Sequence, residues 1–232
     1  MQPYVFPYLG YFQLISTVDK FILYDDVNFI KQGWVNRNYI LLNNKKHLFT
    51  IPVQHISSNS LISETMVATK PQNWDTKLLK TLHSAYSKAP YFTDIFPIIE
   101  SVVTKAKDKS ISELAIESIE SVLKYLSVNT QLFRSSSFKG FSQLKNAERV
   151  LNICEREGAS HYINPIGGIE LYDEVLFLRQ GVKISFLRMK MQNYKQFNYD
   201  FIDGLSIIDI LMFNSKETVT KEFLPLYTLY EK

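Results

Sequence analysis

Two neighbouring aspartates, Asp25 and Asp26, begin the most polar segment of the sequence, which covers residues 25–38. Paired carboxylates could hold Mg²⁺, bind a substrate ammonium or hydroxyl group, or act as a general base. Lys31 and Arg37 follow in the same segment and could clamp a phosphate group, the arginine through two parallel hydrogen bonds. The alternative interpretation is a solvated loop with an ion pair or a helix cap. The segment also contributes amide and indole groups suited to substrate binding, from Asn28, Trp34 and Asn36.

A serine-rich loop over residues 135–140 follows a short predicted strand. Its hydroxyl groups, its backbone N–H groups and Lys139 could surround an anion at the N-terminus of the next helix. Ser135 and Ser136 are therefore candidate substrate-binding residues. The alternative is an ordinary turn in which Ser142 caps that helix.

A third polar segment, residues 162–173, also lies between a predicted strand and a predicted helix. The paired glycines Gly167 and Gly168 let the backbone approach a ligand closely, while Asn164 offers an amide and Glu170 a carboxylate that could act as a base. The spacing matches neither a dinucleotide-binding fingerprint nor a Walker loop. The alternative is a strand-to-helix turn that needs glycine at positive φ.

The four histidines are scattered, without an H-E-x-x-H pattern or a cysteine partner, so the sequence predicts no zinc site. His83 lies on a predicted helix and could reach a cleft as a base. The alternative is a packed, hydrogen-bonded side chain beside Leu82 and Tyr86.

The N-terminal elements that would position these groups read as strand, loop, helix and strand, over residues 1–6, 7–10, 10–19 and 21–24. This βαβ unit predicts a parallel pair with a right-handed crossover and a ligand site at the carboxyl ends of the strands. The first loop lies at that end.

The rest of the chain predicts a β-hairpin, a helical region and an alternation of strands and helices. The hairpin joins residues 39–42 to residues 47–53 through a polar connection. Three helices between Trp74 and Tyr125 form an inserted helical subdomain over residues 71–127. The second half alternates strands at 130–134, 161–164 and 183–187 with helices at 143–157 and 172–180. Residues 1–232 therefore predict a single α/β domain, with a mostly parallel Rossmann-like sheet and flanking helices.

Composition limits the classes of function. With 46% hydrophobic and 21% charged residues, the 232-residue chain has the composition of a globular protein. Its net charge is +3 and its lysines are scattered, so the sequence gives little support to nucleic-acid binding by counterion release. Cys154, the sole cysteine, fits a core thiol in a reducing compartment. The absence of a signal peptide and of an apolar run of about 20 residues predicts a cytoplasmic protein without membrane insertion.

Six motifs spread over nearly the whole chain carry a family resemblance: Met1-Gln-Pro-Tyr-Val-Phe-Pro-Tyr-Leu-Gly-Tyr-Phe-Gln-Leu-Ile, Tyr24-Asp-Asp-Val, Trp34-Val-Asn-Arg-Asn, Lys88-Ala-Pro-Tyr-Phe, Tyr162-Ile-Asn-Pro-Ile-Gly-Gly and Leu205-Ser-Ile-Ile-Asp-Ile-Leu-Met-Phe-Asn. Through them the sequence resembles the WbqC-like protein family, which is known mostly from bacterial surface-polysaccharide and O-antigen gene clusters. Members of that family usually carry a few apolar residues before the Met-Gln-Pro motif. This chain begins at the motif, which predicts a shortened first strand or a misassigned start codon.

A second resemblance concerns residues 7–11, Pro-Tyr-Leu-Gly-Tyr. They stand where nucleotidylyltransferases and class I aminoacyl-tRNA synthetases have His-x-Gly-His, with Tyr8 and Tyr11 in place of both histidines. The two tyrosines are therefore candidate substrate-binding residues. Adenylate chemistry would need positive charge at the α-phosphate, supplied by Lys31, Arg37 or Lys139.

The family resemblance implies an enzyme of O-antigen or lipopolysaccharide biosynthesis that transfers an acyl or aminoacyl (glycyl) group to the amine of a nucleotide-linked amino sugar. The acyl donor would be a free amino acid with ATP and Mg²⁺, or an aminoacyl-tRNA. The candidate bases are Asp25, Asp26, His83 and Glu170, and backbone N–H groups near Gly167 and Gly168 would stabilise the oxyanion. The alternatives are a nucleotidylyltransferase acting on a sugar phosphate and a non-catalytic sugar-nucleotide-binding or scaffold protein. The proposed chemistry requires that the segments near Asp26, Ser136 and Gly167 converge on one cavity.

Overall fold

The computed structural model describes residues 1–54, 57, 59–138, 140, 143–144, 146–197 and 200–231. Its strands are β1 Lys20–Leu23, β2 Arg37–Leu42, β3 Lys45–Thr50, β4 Gln131–Arg134, β5 His161–Pro165, β6 Lys183–Met189 and β7 Tyr227–Tyr230. Its α-helices are α1 Leu9–Thr17, α2 Trp74–Tyr86, α3 Phe92–Thr104, α4 Ile111–Leu126, α5 Asn146–Glu157, α6 Glu174–Arg179, α7 Ile207–Phe213 and α8 Lys216–Thr218. Short 3₁₀ turns at Ser135–Ser137 and Ile166–Leu171 follow β4 and β5, and a π-helical turn at Val219–Phe223 follows α8.

The strands divide among three small sheets. Strands β1 and β4 form a parallel pair, β2 and β3 form an antiparallel hairpin, and β5, β6 and β7 form a third sheet in which only β5 and β6 are parallel. The predicted α/β class is therefore confirmed. The predicted mostly parallel Rossmann-like sheet is not confirmed, because β1 and β5 do not pair with each other.

A cavity of about 310 Å³ separates β1 from β5, and residues of α1 and α5 also line it. The backbone of Met1 donates to the carbonyl of Ile22 at 2.8 Å and accepts from the N–H of Tyr24 at 2.7 Å, as the next strand of a parallel sheet would. The predicted strand over residues 1–6 extends no further than this contact. The gap between the two strand edges keeps the parallel pairs in separate sheets.

The hairpin and the helical region form as predicted. Asn43 and Asn44 join β2 to β3 with φ angles of 49° and 58°, the positive values that a tight hairpin turn requires. Helix α4 begins with a reciprocal capping box between Ser110 and Glu113. The buried residues of α2, α3 and α4 belong to the same apolar cluster as those of α1 and β2, so the helices share their core with the rest of the chain. The division into a domain with an insertion over residues 71–127 stays a prediction.

A second, smaller apolar cluster packs α5 and α6 against β5 and β6. It contains Cys154, which is a free and buried thiol, as the apolar face of its helix predicted. Burial raises the pKa of this thiol to about 11. Across the described part of the chain, no helix has the length and apolarity needed to cross a membrane.

The carboxylate of Asp209, on α7, is completely buried and ties several elements together. It accepts hydrogen bonds from the hydroxyl groups of Tyr86 (2.8 Å) and Tyr194 (2.6 Å) and from the Nε2 atom of Gln196 (2.7 Å). The Tyr86 hydroxyl in turn accepts from the backbone N–H of Leu41 in β2, at 2.9 Å. Burial raises the pKa of Asp209, while the three donors partly counteract this effect by favouring the charged form.

Candidate functional site

The first two predicted segments meet at the carboxyl ends of β1 and β4. Both oxygens of Asp25 accept hydrogen bonds from Ser136, Oδ1 from its backbone N–H at 2.9 Å and Oδ2 from its hydroxyl group at 2.8 Å. The backbone N–H of Asp25 donates to the Ser135 hydroxyl at 3.1 Å. Asp25 is only 1% exposed, so its carboxylate is a buried acceptor that holds the two loops together.

Asp26 forms a buried ion pair with Arg149 of α5. The Nη2 atom of Arg149 donates to both carboxylate oxygens, at 2.7 and 2.6 Å, and the Ser135 hydroxyl donates to Oδ1. The Asp26 side chain is 14% exposed and that of Arg149 7%. Asp26 is therefore oriented by two partners while part of its carboxylate remains accessible to solvent.

Sequence reasoning missed Arg149, although a signal was present. The buried positions of α5 are Arg149, Val150, Ile153 and Cys154, which recur at helical spacing. A charged residue within an apolar helical stripe indicates a buried partner of opposite charge, because an unpaired buried charge is costly. Asp26 is a candidate for that partner, because it follows β1, whose parallel neighbour β4 precedes α5 in the chain.

Tyr24, the residue before the aspartates, lies against the same guanidinium group. The Cζ atom of Arg149 is 4.8 Å from the centre of the Tyr24 ring, a cation–π geometry. Burial raises the pKa of the Tyr24 hydroxyl above its usual range, and the charge of Arg149 lowers it only in part. The Tyr24 hydroxyl and the Nε atom of Arg149 are both buried, and neither has a hydrogen-bond partner among the residues that the structure describes.

The third predicted segment contributes two tyrosines and an asparagine near Tyr24. The Tyr162 hydroxyl donates to Oδ1 of Asn164 at 2.9 Å, and the Tyr162 and Tyr172 rings meet edge-on at 5.6 Å. Tyr24, Tyr162 and Asn164 line the same cavity, and Tyr172 is close enough to raise the pKa of Tyr24. We call the following residues the carboxyl-end cluster: Tyr24, Asp25, Asp26, Ser135, Ser136, Arg149, Tyr162, Asn164 and Tyr172.

The sequence model of the WbqC-like protein family matches residues 2–221. The chain belongs to the WbqC-like family. It is also 28% identical, over 207 residues covering 88% of each chain, to the uncharacterized protein Rv1507c of Mycobacterium tuberculosis (strain ATCC 25618 / H37Rv). No solved structure shows significant similarity to the present chain. The resemblance seen in the sequence motifs is thus confirmed.

In this WbqC-like protein, the cationic part of the segment 25–38 folds onto itself. Arg37 donates to the carbonyls of Gly33 (2.9 Å) and Gln32, and its guanidinium carbon is 5.6 Å from the centre of the Trp34 ring. Lys31 is exposed, and Trp34 is 46% exposed. Arg37 and Trp34 therefore contact each other, and among the described residues no hydrogen bond, ion pair or ring contact joins them or Lys31 to the carboxyl-end cluster.

Two asparagines of the segment 25–38 make contacts within the protein fold. Nδ2 of Asn36 donates to the carbonyl of Ile51 at 2.8 Å, and Asn28 forms an isolated antiparallel bridge with Leu61. Asn36 is buried, so its amide is an internal hydrogen-bonding group.

Tyr8 and Tyr11 differ in their surroundings. Tyr11 is fully buried, its hydroxyl donates to the carbonyl of Gln2 at 2.9 Å, and its ring contacts Phe21, so it packs within the core. Tyr8 is partly exposed, and its ring lies across Gly10, where a Cβ atom would stand 2.6 Å from Cε2 of Tyr8. The glycine thus makes room for the Tyr8 ring, which is the more accessible of the two.

A strained elbow immediately precedes Tyr8. Phe6 has a φ angle of 45°, a conformation that bulky residues rarely adopt. Its backbone N–H donates to the Ser118 hydroxyl at 2.9 Å, and its carbonyl accepts from Asn38 Nδ2 at 2.8 Å and from the Ser206 hydroxyl at 2.7 Å. Such strain persists only where several contacts enforce it. The elbow therefore fixes where the chain enters α1.

The remaining candidates are a histidine that contacts two phenylalanines, an exposed glutamate and two residues outside the described ranges. His83 packs edge-on against Phe92 and Phe96, with ring centres 5.3 and 5.9 Å away. Glu170 is exposed in the 3₁₀ turn after β5. Lys139 and Ser142 lie outside the described residues. Within the described ranges, no group of three histidine, cysteine or acidic side chains is arranged to hold a metal ion.

Gly167 and Gly168 differ from each other, and neither has the positive φ that the alternative interpretation required. A Cβ atom on Gly168 would overlap Nδ2 of Asn164, whereas one on Gly167 would meet nothing within 4 Å. Asn164 cannot move freely, because it accepts from Tyr162 at 2.9 Å and donates to the Pro165 carbonyl at 3.1 Å.

Gly168→Ala should therefore lower the free energy of unfolding by about 1–3 kcal/mol, since the added methyl group displaces Asn164. Gly167→Ala is the matched control, for which we expect a change within about 0.5 kcal/mol. Urea denaturation of both variants measures the difference. Equal effects of the two substitutions would show that Asn164 does not limit the space at Gly168.

Proposed function

We propose that this protein transfers an acyl or aminoacyl group, such as glycyl, to the amine of a nucleotide-linked amino sugar during the assembly of a bacterial surface polysaccharide such as O-antigen. The observation that carries the proposal is Asp26. Its carboxylate is partly accessible at the carboxyl end of a parallel strand pair, oriented by Arg149 and Ser135. In α/β proteins, ligands bind at that end of parallel strands. Membership of the WbqC-like family is consistent with this setting.

The reaction requires a base, since the amine of an amino sugar is protonated at neutral pH. In the proposed step the base takes a proton from the ammonium group, and the amine nitrogen attacks the acyl carbon. The C–N bond forms, the nitrogen gives up its second proton to the leaving group or to water, and the bond to the leaving group breaks as that group departs with its electron pair. Asp26 is the best-placed base, because Asp25 is buried with both oxygens occupied by Ser136. Backbone N–H groups near Gly167 and Gly168 are the candidates for stabilising the developing oxyanion.

The acyl donor must be activated, either as an adenylate made from an amino acid and ATP with Mg²⁺, or as an aminoacyl-tRNA. Purified protein should be incubated with nucleotide-linked amino sugars and glycine, with either ATP and Mg²⁺ or glycyl-tRNA as the source of activation. Mass spectrometry then detects the amide product. The two arms identify the donor, and absence of amide with both would rule out the proposed reaction.

Asp26→Asn should lower the rate of amide formation about 100-fold or more, because the amide side chain cannot accept the proton. Asp203→Asn is the matched control, since Asp203 is an exposed partner of Lys46 at 3.1 Å. It should react at the wild-type rate. A larger loss in Glu170→Gln than in Asp26→Asn would move the base to Glu170.

Nucleotidyl transfer to a sugar phosphate is a second candidate. The observation in its favour is the guanidinium of Arg149 at the carboxyl end of β1, a buried cation whose Nε atom has no partner among the described residues. This function predicts release of pyrophosphate from a nucleoside triphosphate and Mg²⁺ in the absence of any amino acid. A pyrophosphate assay on the same preparation separates it from amide formation.

A further inference from the structure

We propose that the Nε atom of Arg149 and the hydroxyl group of Tyr24 form a subsite for an oxyanion, a phosphoryl group or a carboxylate, carried by the substrate. The inference rests on the proposed function only in assigning that oxyanion to the nucleotide-linked sugar or to the amino acid donor. The subsite itself follows from the geometry of the two residues.

The first observation is that two residues in contact each carry a buried donor that has no acceptor among the described residues. Arg149 is 6% exposed, and its Nη2 atom is occupied by Asp26, whereas its Nε atom is buried and unpartnered among the described residues. The Tyr24 hydroxyl is also buried and unpartnered there, and its ring lies 4.8 Å from the guanidinium carbon. Nearly all buried polar groups have a partner. Two neighbouring exceptions therefore indicate an acceptor that these parts of the chain do not supply.

The second observation is access. Tyr24 lines the cavity of about 310 Å³ together with Tyr162 and Asn164. Its hydroxyl oxygen is enclosed, so the Tyr24 side chain must shift at the cavity wall for an acceptor to reach it. Because Arg149 also binds the Asp26 carboxylate through Nη2, a group bound at Nε would stand beside Asp26, the proposed base.

The donor chemistry of the guanidinium group favours an oxyanion over a neutral carbonyl. A guanidinium group has five N–H donors and can bind two acceptors along different edges. Asp26 occupies one nitrogen and fixes the plane of the group, which leaves the Nε side for the ligand. Hydrogen bonds from a charged donor to a charged acceptor are about twice as strong as neutral ones.

Isothermal titration calorimetry with uridine diphosphate, inorganic pyrophosphate and glycine, each alone, tests the subsite. We expect Tyr24→Phe to weaken oxyanion binding about 5- to 10-fold and Arg149→Lys about 10- to 100-fold. Tyr125→Phe, on α4, is the matched control and should bind within about twofold of the wild type. The melting temperature of unliganded Tyr24→Phe should equal or exceed that of the wild type, because the substitution removes a buried hydroxyl that no described residue binds.

Dependence on Tyr24 for uridine diphosphate and pyrophosphate supports the subsite and identifies its ligand as phosphoryl. Dependence for glycine alone supports the subsite and identifies its ligand as carboxylate. Unchanged binding of all three probes by both variants would overturn it, as would a marked drop in the melting temperature of Tyr24→Phe. Tyr24-dependent binding without amide formation would leave the subsite standing while the proposed reaction fails. Amide formation together with binding that does not depend on Tyr24 would support the proposed reaction and rule out the subsite.

Discussion

Asp209→Ala is expected to lower the free energy of unfolding by about 3–5 kcal/mol, because it leaves the hydroxyl groups of Tyr86 and Tyr194 and the Gln196 amide without their shared acceptor. Asp209 is completely buried, so water cannot replace the lost carboxylate without rearrangement. Since whole domains are stable by only about 5–15 kcal/mol, this one substitution should bring the protein close to unfolding.

Urea denaturation at neutral pH measures the effect of Asp209→Ala. Asp203→Ala is the control, because it removes an exposed carboxylate whose ion pair with Lys46 should contribute less than about 1 kcal/mol. If the two variants lose similar stability, the buried network around Asp209 does not hold α7 to α2 and β2.

The pH dependence of this network follows from the raised pKa of Asp209. In the unfolded chain the pKa is about 3.9. Because the folded pKa is higher, the stability that comes from protonation is fully present below the unfolded value and is lost as the pH rises through the folded value. The stability advantage of the wild type over Asp209→Asn should therefore shrink from about pH 4 towards neutral pH. An advantage that grows with pH would show that the three donors lower this pKa in the fold.

The second large effect is expected at the ion pair of Asp26 and Arg149. Arg149→Met should cost about 3–5 kcal/mol of unfolding free energy, since it leaves a largely buried carboxylate without its cation. Asp26→Asn should also destabilise the protein, because the guanidinium loses its charged partner. The double variant should be less destabilised than the sum of the two, as neither unpaired charge remains.

A double-mutant cycle in urea denaturation gives the coupling energy, which should exceed about 1.5 kcal/mol. The exposed pair of Lys46 and Asp203 provides the control cycle, with an expected coupling below about 1 kcal/mol. Additive effects at Asp26 and Arg149 would mean that solvent screens this pair despite its burial. In that case Arg149 would not orient Asp26, and the proposed base would lose its support.

Much of the local structure could be predicted from neighbouring residues. The two asparagines between β2 and β3 tolerate the positive φ of a tight turn, and they formed it. Helical spacing of apolar residues predicted α2, α3 and α4, and Gly158 and Gly181 end α5 and α6 with φ angles of 64° and 72°. The proposed chemistry required the segments near Asp26 and Ser136 to converge, and they meet because β1 and β4 are parallel neighbours that end at the same edge.

The roles of those polar residues could not be predicted in the same way. Asp25 and Asp26 are adjacent and chemically identical, yet one is a buried acceptor for Ser136 and the other is paired with Arg149. Arg37 was expected to clamp phosphate, but its donors bind the carbonyls of its own loop. Each outcome depends on which side of the backbone a side chain leaves and on which element packs there.

The sequence by itself therefore determined the family, the helices α1 to α6, the hairpin and the loops that carry the polar groups, because turn chemistry and apolar periodicity act over a few residues. Only the tertiary structure decided that Arg149 pairs with Asp26 and that Asp209 gathers Tyr86, Tyr194 and Gln196. It also left a cavity between β1 and β5 where one continuous sheet was expected. Burial and charge pairing join residues that are distant in the chain, and no local pattern specifies which of them will meet.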